Sequence, residues 1–561
     1  MKLSGSRIII EMLIEQGVDT VFGYPGGAIM PLYDALYDAP LRHVLTVHEQ
    51  GAAHAADGYA RASGRVGVCI ATSGPGATNL VTGLATAFMD SSPVVAITGQ
   101  VGTALLGRDA FQEIDITGLT MPITKHNFLV RNVSDLAVTL RNAFSIAREG
   151  RPGPVLIDVP RDVLLAEIEF SVTINTPDTQ QQSGIAAADP GDADIEKARI
   201  AFTAAKRPIL LCGGGIIHAC ATAEAAEFSR VAGIPAVSTL MGLGALPPKH
   251  PYYLGLTGMH GHKAANLAVA AADLVIAAGS RFSDRVTGDR LQYVNGKTII
   301  HLDIDAAEID KNITSTVKVV GDLKQSMKLL TRALQQKGPA SDLSGWLQQV
   351  RQWQEQNSTV PDVSSLNPEW IMRHMSEATS RHSVAWVTDV GQHQMWAAQH
   401  LRIQHPGSWI TSGGLGAMGF GLPAAIGAQL ACPEQRTILI AGDGGFKMTG
   451  MELCTAAIEN VPVISVILNN GALGMVRQWQ HLFFNRRYSS TTLPVFDFVG
   501  LARACGVAGV VTNTTEEFST AFQQALQQAG PCVIVANISS DCMVDPMVQP
   551  GQPVDRFVDF S

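Results

Sequence analysis

Charge is what this sequence has least of. Only 16% of its 561 residues are Asp, Glu, Lys or Arg, against roughly 25% in an ordinary soluble domain. Hydrophobic residues reach 46%, so the chain can build buried cores and is not of the disordered class. The small charge balance is acidic, −9 with a pI near 5.9, which argues against nucleic acid or anionic membrane as main partner. Long apolar runs are also missing, so no stretch has the length of a membrane span. The N-terminus MKLSGSRIIIEMLIEQG lacks a signal-peptide layout, because Glu11 and Glu15 fall inside its apolar pattern. Cysteine is sparse: eight, scattered, with no CxxC pair. That excludes a zinc-ligand or disulfide framework and points to reduced core thiols of a cytoplasmic protein.

A chain of 561 residues is too long for one core and suggests three domains. Over residues 1–165, apolar runs at 20–23, 66–72, 94–99 and 154–159 are bounded by Gly or Pro and separated by helical patterns, notably 50–62. Residues 171–192 lose apolar periodicity and read as a linker. The alternation resumes over 193–335, with strands at 208–212, 274–278 and 298–304. Residues 337–368 turn polar and Gln-rich and suggest an exposed helix within a second connector. A third domain, 369–541, carries strands at 384–387, 437–441, 461–468 and 532–536, and the Pro-bearing tail 542–561 reads as an arm or lid. Alternating strands and helices of this kind predict three α/β domains, each a doubly wound parallel sheet.

One stretch carries the chemistry. An uncharged apolar run at 437–441 ends in Gly442-Asp443-Gly444-Gly445, and after a helical segment a second run at 461–468 ends in Asn469-Asn470. This is the pattern of a βαβ unit with buried parallel strands. Its right-handed crossover brings both carboxyl ends to one sheet edge, so Asp443 and Asn470 emerge side by side. A carboxylate, an amide oxygen and several glycine N–H groups suit a hard cation that carries a diphosphate. A plain βαβ unit with a turn at each strand end is the alternative reading.

The stretch resembles the diphosphate-binding motif of thiamin diphosphate (ThDP) enzymes, in which GDG is followed at this separation by NN. GLGAMGFGLP at 414–423 is similar to the segment of ThDP enzymes that supports the bent coenzyme. Five more segments are similar to the catalytic (large) subunit of the biosynthetic acetohydroxyacid, or acetolactate, synthases: Gly23-Tyr24-Pro25-Gly26-Gly27-Ala28, ATSGPGATN at 71–79, Asp109-Ala110-Phe111-Gln112-Glu113, GSRFSDRVTG at 279–288 and GMVRQWQ at 474–480. The resemblance covers essentially the whole chain. It implies a pyrimidine-binding domain, a central Rossmann-like FAD domain and a diphosphate-binding domain, with ThDP, Mg2+ and FAD as cofactors.

The resemblance also assigns roles. Glu49 would protonate the coenzyme's aminopyrimidine from one subunit while Asp443, Asn470 and Ala472 of another hold the metal, which implies a homodimer, or a tetramer built from it. By itself Glu49 reads as a first-turn glutamate favoured by the helix dipole, on a helix whose alanines allow close packing. Tyr24, Pro25, Gly27, Ser73, Val390, Gly391, Gln392, His393, Gly416, Met418, Gly442, Gly444, Gly445 and Met475 would complete the coenzyme site. Met418 and His393 read equally as core residues. Arg285 would hold the acceptor's carboxylate bidentately and Trp479 would favour an ethyl over a methyl side chain, by about 0.8 kcal/mol per methylene. Their plain alternatives are an ion pair with Asp284 and a core tryptophan. Phe111, Gln112 and Lys125 would line the same pocket.

For FAD the resemblance implies Arg151, Gly213, Gly214, Thr239, Leu240, His260, Gly279, Arg281, Asp303, Glu308 and Asp322, although Gly213-Gly214-Gly215 lacks the GxGxxG pattern. The chain departs from the family at Gly445, Lys447, Ser283 and Arg161. The expected reaction is carboligation of two 2-oxo acids in branched-chain amino-acid synthesis, in a cytoplasmic enzyme that can carry a regulatory small subunit. The alternatives are another flavin-containing ThDP enzyme, a pyruvate oxidase or glyoxylate carboligase, and a non-catalytic ThDP-fold regulatory subunit.

Overall fold

A computed structural model describes residues 2–170, 189–337, 342–357 and 365–560. The chain forms three six-stranded parallel sheets, each flanked by helices. The first contains β2 (Thr20–Gly23), β3 (Arg42–Leu45), β4 (Gly67–Ala71), β5 (Val94–Gln100), β6 (His126–Leu129) and β7 (Val155–Pro160). A small antiparallel pair, β1 (Lys2–Ser4) with β8 (Glu167–Glu169), ties the start of this domain to its end. The central sheet holds β9 (Pro208–Cys212), β10 (Ala236–Ser238), β11 (Tyr253–Leu256), β12 (Leu274–Ala278), β13 (Thr298–Asp303) and β14 (Val317–Val320). The third holds β15 (Val384–Thr388), β16 (Trp409–Thr411), β17 (Arg436–Gly442), β18 (Ile464–Asn469), β19 (Ala508–Thr512) and β20 (Cys532–Asn537).

The strand orders are β3-β2-β4-β5-β7-β6, β11-β10-β9-β12-β13-β14 and β16-β15-β17-β18-β20-β19. Each sheet is built outward in both directions from an inner strand, so each has one point where the winding reverses: β2/β4, β9/β12 and β15/β17. Crevices for ligands open at the carboxyl ends of such strand pairs. The residues leaving those ends are Tyr24 and Ser73 in the first sheet, Gly213 and Gly279 in the second, and Asp389 and Asp443 in the third. The candidate residues therefore gather where the topology leaves room.

The predicted strands are present with shifts at their ends. The run at 461–468 begins pairing only at Ile464, since Pro462 has no N–H to give a ladder. The edge strands β3, β6, β11, β14 and β19 had no strong apolar run to reveal them. The connector at 337–368 is only partly described, and its helix Ser344–Gln356 is not simply exposed. Trp346 and Val350 are buried in the central core, and the Trp346 indole donates to the Pro208 carbonyl at 3.1 Å. Most of the predicted linker, 171–188, lies outside the described residues.

The tail is an arm already docked onto the body. Val544, Met547, Val548 and Val554 are buried. The Val548 N–H donates to the Met259 carbonyl at 2.8 Å and the Val544 N–H to the Gln478 side chain at 2.9 Å. All eight cysteines are free, with the Cys454 and Cys505 sulfurs 3.0 Å apart. Among the described residues no helix is long and apolar enough to cross a membrane.

The helix Glu49–Ser63 is the piece every neighbour is shaped around. Its residues 51–60 are buried, which a helix can achieve only where its partners are small. Three surrounding elements meet it through four glycines, one of them its own. A Cβ on Gly58 would run into the Ala424 backbone, one on Gly427 into the Ala55 backbone, one on Gly67 into Ala56, and one on Gly83 into Ala53. The helix thus packs backbone to backbone against Gly421–Ala431 of the third domain. It ends at Gly64 in the left-handed conformation, φ 71°, as a helix stop commonly requires.

Candidate active site

Two cavities lie at these reversal points. The smaller is lined by Val390, Gly391, Gln392, His393, Met418, Gly442, Asp443, Gly444, Gly445, Asn470, Ala472 and Met475, all singled out in the sequence, together with Trp396, Leu468, Leu473, Gly474 and Val476, which were not. Asp443 opens the helix Asp443–Thr449 directly after β17. Its Oδ1 accepts the Gly444 N–H at 3.0 Å, whereas its Oδ2 is buried without any partner. Burial pushes its pKa up to about 6. Asn470, just past β18, accepts the Ala472 N–H on Oδ1 at 3.1 Å and donates weakly to Gln392 at 3.3 Å. Gln392 is itself held by Gln478 at 2.8 Å and the Cys542 carbonyl at 3.0 Å. Gln392 therefore orients Asn470 and ties the clamp to the arm, a task not read from the sequence.

His393 is buried with Nε2 unpaired, and desolvation lowers its pKa to about 3, so it is neutral. Its ring presses on Gly391 and Gly442, where a Cβ would come within 3.0 and 2.9 Å of it. Among the described residues no three His, Cys, Asp or Glu side chains converge on one point. A cation held by Asp443 and Asn470 thus needs further oxygens from its ligand, the usual habit of Mg2+ with phosphates. An orphaned buried carboxylate oxygen, an orphaned imidazole nitrogen and a glycine-rich floor fit a Mg–diphosphate group.

The larger cavity, about 1500 Å3, runs between the domains. Every FAD residue expected from the sequence lines it except Gly213. Gly213 instead lets the loops after β9 and β12 touch, its Cα lying where a Cβ would meet the Gly279 backbone. Asp303 is raised to about 6 by burial, and His260 keeps an unpaired buried Nδ1 with its pKa lowered to about 4 by desolvation. Glu308 is held by Arg151 at 2.6 Å and Lys311 at 2.8 Å, while Arg281 donates to the Met89 carbonyl. Volume and polar groups fit a dinucleotide. Arg285 and Trp479 join this same cavity from two domains, the guanidinium 5.8 Å from the indole centroid. Arg285 also makes the Asp284 pair at 3.2 Å, and Trp479 Nε1 is buried and unpaired.

Glu49 lines neither cavity. It is 9% exposed and accepts from Asn79 at 2.9 Å, close to Gly76 at the β2/β4 reversal. Gln112, with φ 58°, lies over Gly74 in the same region. Tyr24 and Phe111 are exposed there, Phe111 by 87%. Within its own chain Lys125, like Phe111 and Gln112, lines neither cavity. Its ammonium instead binds the carbonyls of Ile146 and Glu149, at the end of the helix Leu136–Arg148, where a cation is favoured.

Three supports were invisible in the sequence. Glu452 accepts the Val47 and His48 N–H groups at 3.2 Å and so sets the start of the Glu49 helix. Buried Asp389 accepts from Gly419 at 3.0 Å and Gly421 at 2.9 Å. A Cβ on Gly445 would stand 2.8 Å from its carboxyl carbon, which explains one departure. Arg61, on the Glu49 helix, pairs with Asp57 at 2.7 Å and Asp90 at 3.2 Å. Asp90 in turn accepts from Gly413 and Gly414 at 2.9 and 2.7 Å. Nothing local marks these residues, because each acts through a partner distant in the chain. Of the other departures, Ser283 lines the large cavity and Arg161 is exposed away from it.

Comparison with known proteins matches three family models. These are the N-terminal TPP binding domain of thiamine pyrophosphate enzymes over residues 3–119, their central domain over 195–330, and their C-terminal TPP binding domain over 389–536. The chain is 47% identical to "Acetolactate synthase" of Mycobacterium bovis, covering 99% of this chain and 91% of that one. It is 46% identical to "Acetolactate synthase isozyme 2 large subunit" of Escherichia coli, covering 98% of both chains. With "Probable acetolactate synthase large subunit" of Methanocaldococcus jannaschii the identity is 45%, over 99% of this chain and 95% of that one.

Proposed function

We propose that this chain, which belongs to the acetolactate synthase large subunits of the thiamine pyrophosphate enzymes, joins two 2-oxo acids with loss of carbon dioxide. Two pyruvates give 2-acetolactate, and pyruvate with 2-oxobutanoate gives 2-aceto-2-hydroxybutanoate, the first common step of branched-chain amino-acid synthesis. The observation that carries this reading is Asp443 Oδ2, a buried carboxylate oxygen with no partner, beside Asn470 in a glycine-floored cavity.

Bound ThDP supplies the electron sink that lets a 2-oxo acid lose its carboxylate. Asp443, Asn470 and the Ala472 carbonyl would hold Mg2+, and His393 would offer a neutral imidazole nitrogen to the diphosphate side. Glu49 holds and returns a proton at its carboxyl oxygen and acts from the partner subunit of a homodimer, which its absence from both cavities of its own chain supports. Arg285 leaves Asp284 to grip the acceptor carboxylate. A charge-assisted hydrogen bond of about 1.5–3 kcal/mol gives that acceptor roughly a ten- to hundredfold advantage. Trp479 walls the acceptor side chain. Arg151, Asp303, Glu308 and the other residues of the large cavity would hold FAD, which would organise the site without a net redox step. The enzyme works in the cytoplasm, as a dimer or a tetramer of such dimers, and accepts a regulatory small subunit.

The test is turnover of pyruvate, alone and with 2-oxobutanoate, with ThDP, Mg2+ and FAD omitted in turn. Acetolactate and carbon dioxide are expected, lost without ThDP or Mg2+. Glu49→Gln should lower the rate about 100-fold or more. Acetyl phosphate, or acetate with peroxide, as the main product would overturn the reading, as would full activity of Glu49→Gln.

A further inference from the structure

The metal clamp has two arms on different strands, and one amine joins what lies behind them. The first arm is Asp443 on the helix Asp443–Thr449. Lys447 sits one turn further along that helix, so its position is set by the same backbone. The second arm is the loop of Asn470 and Ala472 after β18. A segment at 491–498 lies against that loop. The Leu473 N–H donates to the Thr491 carbonyl at 2.8 Å, the Leu493 N–H donates to the Gly471 carbonyl at 2.8 Å, and Ala472 and Thr492 form an antiparallel bridge. Leu493 also reaches the first arm, its Cδ1 3.5 Å from where a Cβ on Gly444 would be.

Lys447 then closes the arrangement. Its ammonium donates to the Pro494 carbonyl at 3.2 Å and lies 5.3 Å from the Phe496 ring centroid and 5.7 Å from that of Phe498. A carbonyl and two aromatic faces hold a cation in three directions. Between the backbone bonds at 491–493 and buried Phe498, the middle of the strap has little else to keep it down: Val495 is fully exposed and Phe496 is 42% exposed.

We propose that Lys447 is a positioning residue that latches the strap 491–498 and so fixes the Asn470–Ala472 loop relative to Asp443, giving the clamp its grip on Mg–diphosphate. The competing role is that the Lys447 charge attracts the diphosphate directly. The two differ in what they predict for protein free of coenzyme. A latch acts before any ligand arrives, whereas attraction needs the ligand. The latch rests on the functional reading above for its ligand, though not for its geometry.

Arg486 and Arg487, exposed just ahead of the strap, provide a reporter. Trypsin cleavage there should be followed in coenzyme-free wild type, Lys447→Met and Lys447→Arg, together with binding of Mg–ThDP by calorimetry at low and high salt. Expected are cleavage about tenfold faster and binding about tenfold weaker in Lys447→Met, with both largely restored in Lys447→Arg, which keeps a cation over the rings. Weaker binding that high salt abolishes, with cleavage unchanged, would overturn the latch in favour of direct attraction. Unchanged cleavage and unchanged binding would overturn both. If wild type fails to bind Mg–ThDP, the functional reading falls, while the cleavage comparison still decides whether Lys447 holds the strap.

Discussion

Replacing Gly58 with Ala puts a single methyl group into the crossing between the helices Glu49–Ser63 and Gly421–Ala431, and two effects then compete. In a helix interior Ala is favoured over Gly by about 1 kcal/mol. The new Cβ, however, would stand 2.7 Å from both the carbonyl carbon and the Cα of Ala424, where carbon atoms pack at about 3.5–4.0 Å. The obstacle is backbone, so no side-chain rotation relieves it and the helices must part by roughly 1 Å. Overpacking costs about 1–3 kcal/mol. Parting the helices also loosens Ala55, Ala56, Ala424 and Ala425, each at most 1% exposed. With a backbone obstacle the steric cost falls toward the top of that range and outweighs propensity, and a net loss of up to about 2 kcal/mol is expected. Gly64→Ala is the control, because its site has φ 71° and no atom within 4 Å. It pays about 1 kcal/mol for left-handed backbone and moves no helix. Urea unfolding of the two variants and wild type measures the costs. Turnover of the folded enzymes should fall for Gly58→Ala alone, since Glu49 opens the displaced helix. A Gly58→Ala protein as stable as wild type, or more stable, would show that propensity wins and refute the close-packing account.

Asp90→Asn removes one charge from the buried Arg61 set and weakens the acceptor for the Gly413 and Gly414 N–H groups. Breaking a buried pair costs about 3–5 kcal/mol, so a clear drop in thermal midpoint is expected, and a drop under 1 °C would count against the network. His54 is fully buried and its pKa is lowered to about 4, mainly by desolvation. A depressed histidine contributes stability above its unfolded value of about 6.5 that is lost as pH falls. Buried Asp158, raised to about 7, has the opposite trend, so the difference between proteins is the useful quantity. Between pH 7 and pH 4.5 wild type should lose about 2.5 kcal/mol relative to His54→Gln, read from urea midpoints. A pH-independent gap would refute the neutral buried imidazole.

The sequence by itself determined a great deal here. Short uncharged apolar runs closed by Gly or Pro and alternating with helical patterns read as buried parallel strands, so the main strands β2, β4, β5, β7, β9, β12, β13, β15, β17, β18 and β20 were legible, as was their grouping into three domains. The spacing from Gly442-Asp443-Gly444 to Asn469-Asn470 placed Asp443 and Asn470 at one sheet edge, because parallel crossovers have one hand. Short edge strands such as β3 and β14 escaped, since half-exposed strands need no continuous apolar run. The tertiary structure decided everything that depends on a distant partner: Asp90 under Gly413 and Gly414, Glu452 under the Glu49 helix, Gln392 behind Asn470, and Lys125 turned to a helix end. Local pattern records only whether a residue is to be buried. Which backbone its charge must answer is settled when segments hundreds of residues apart pack close enough for carboxylates and amides to lose their water.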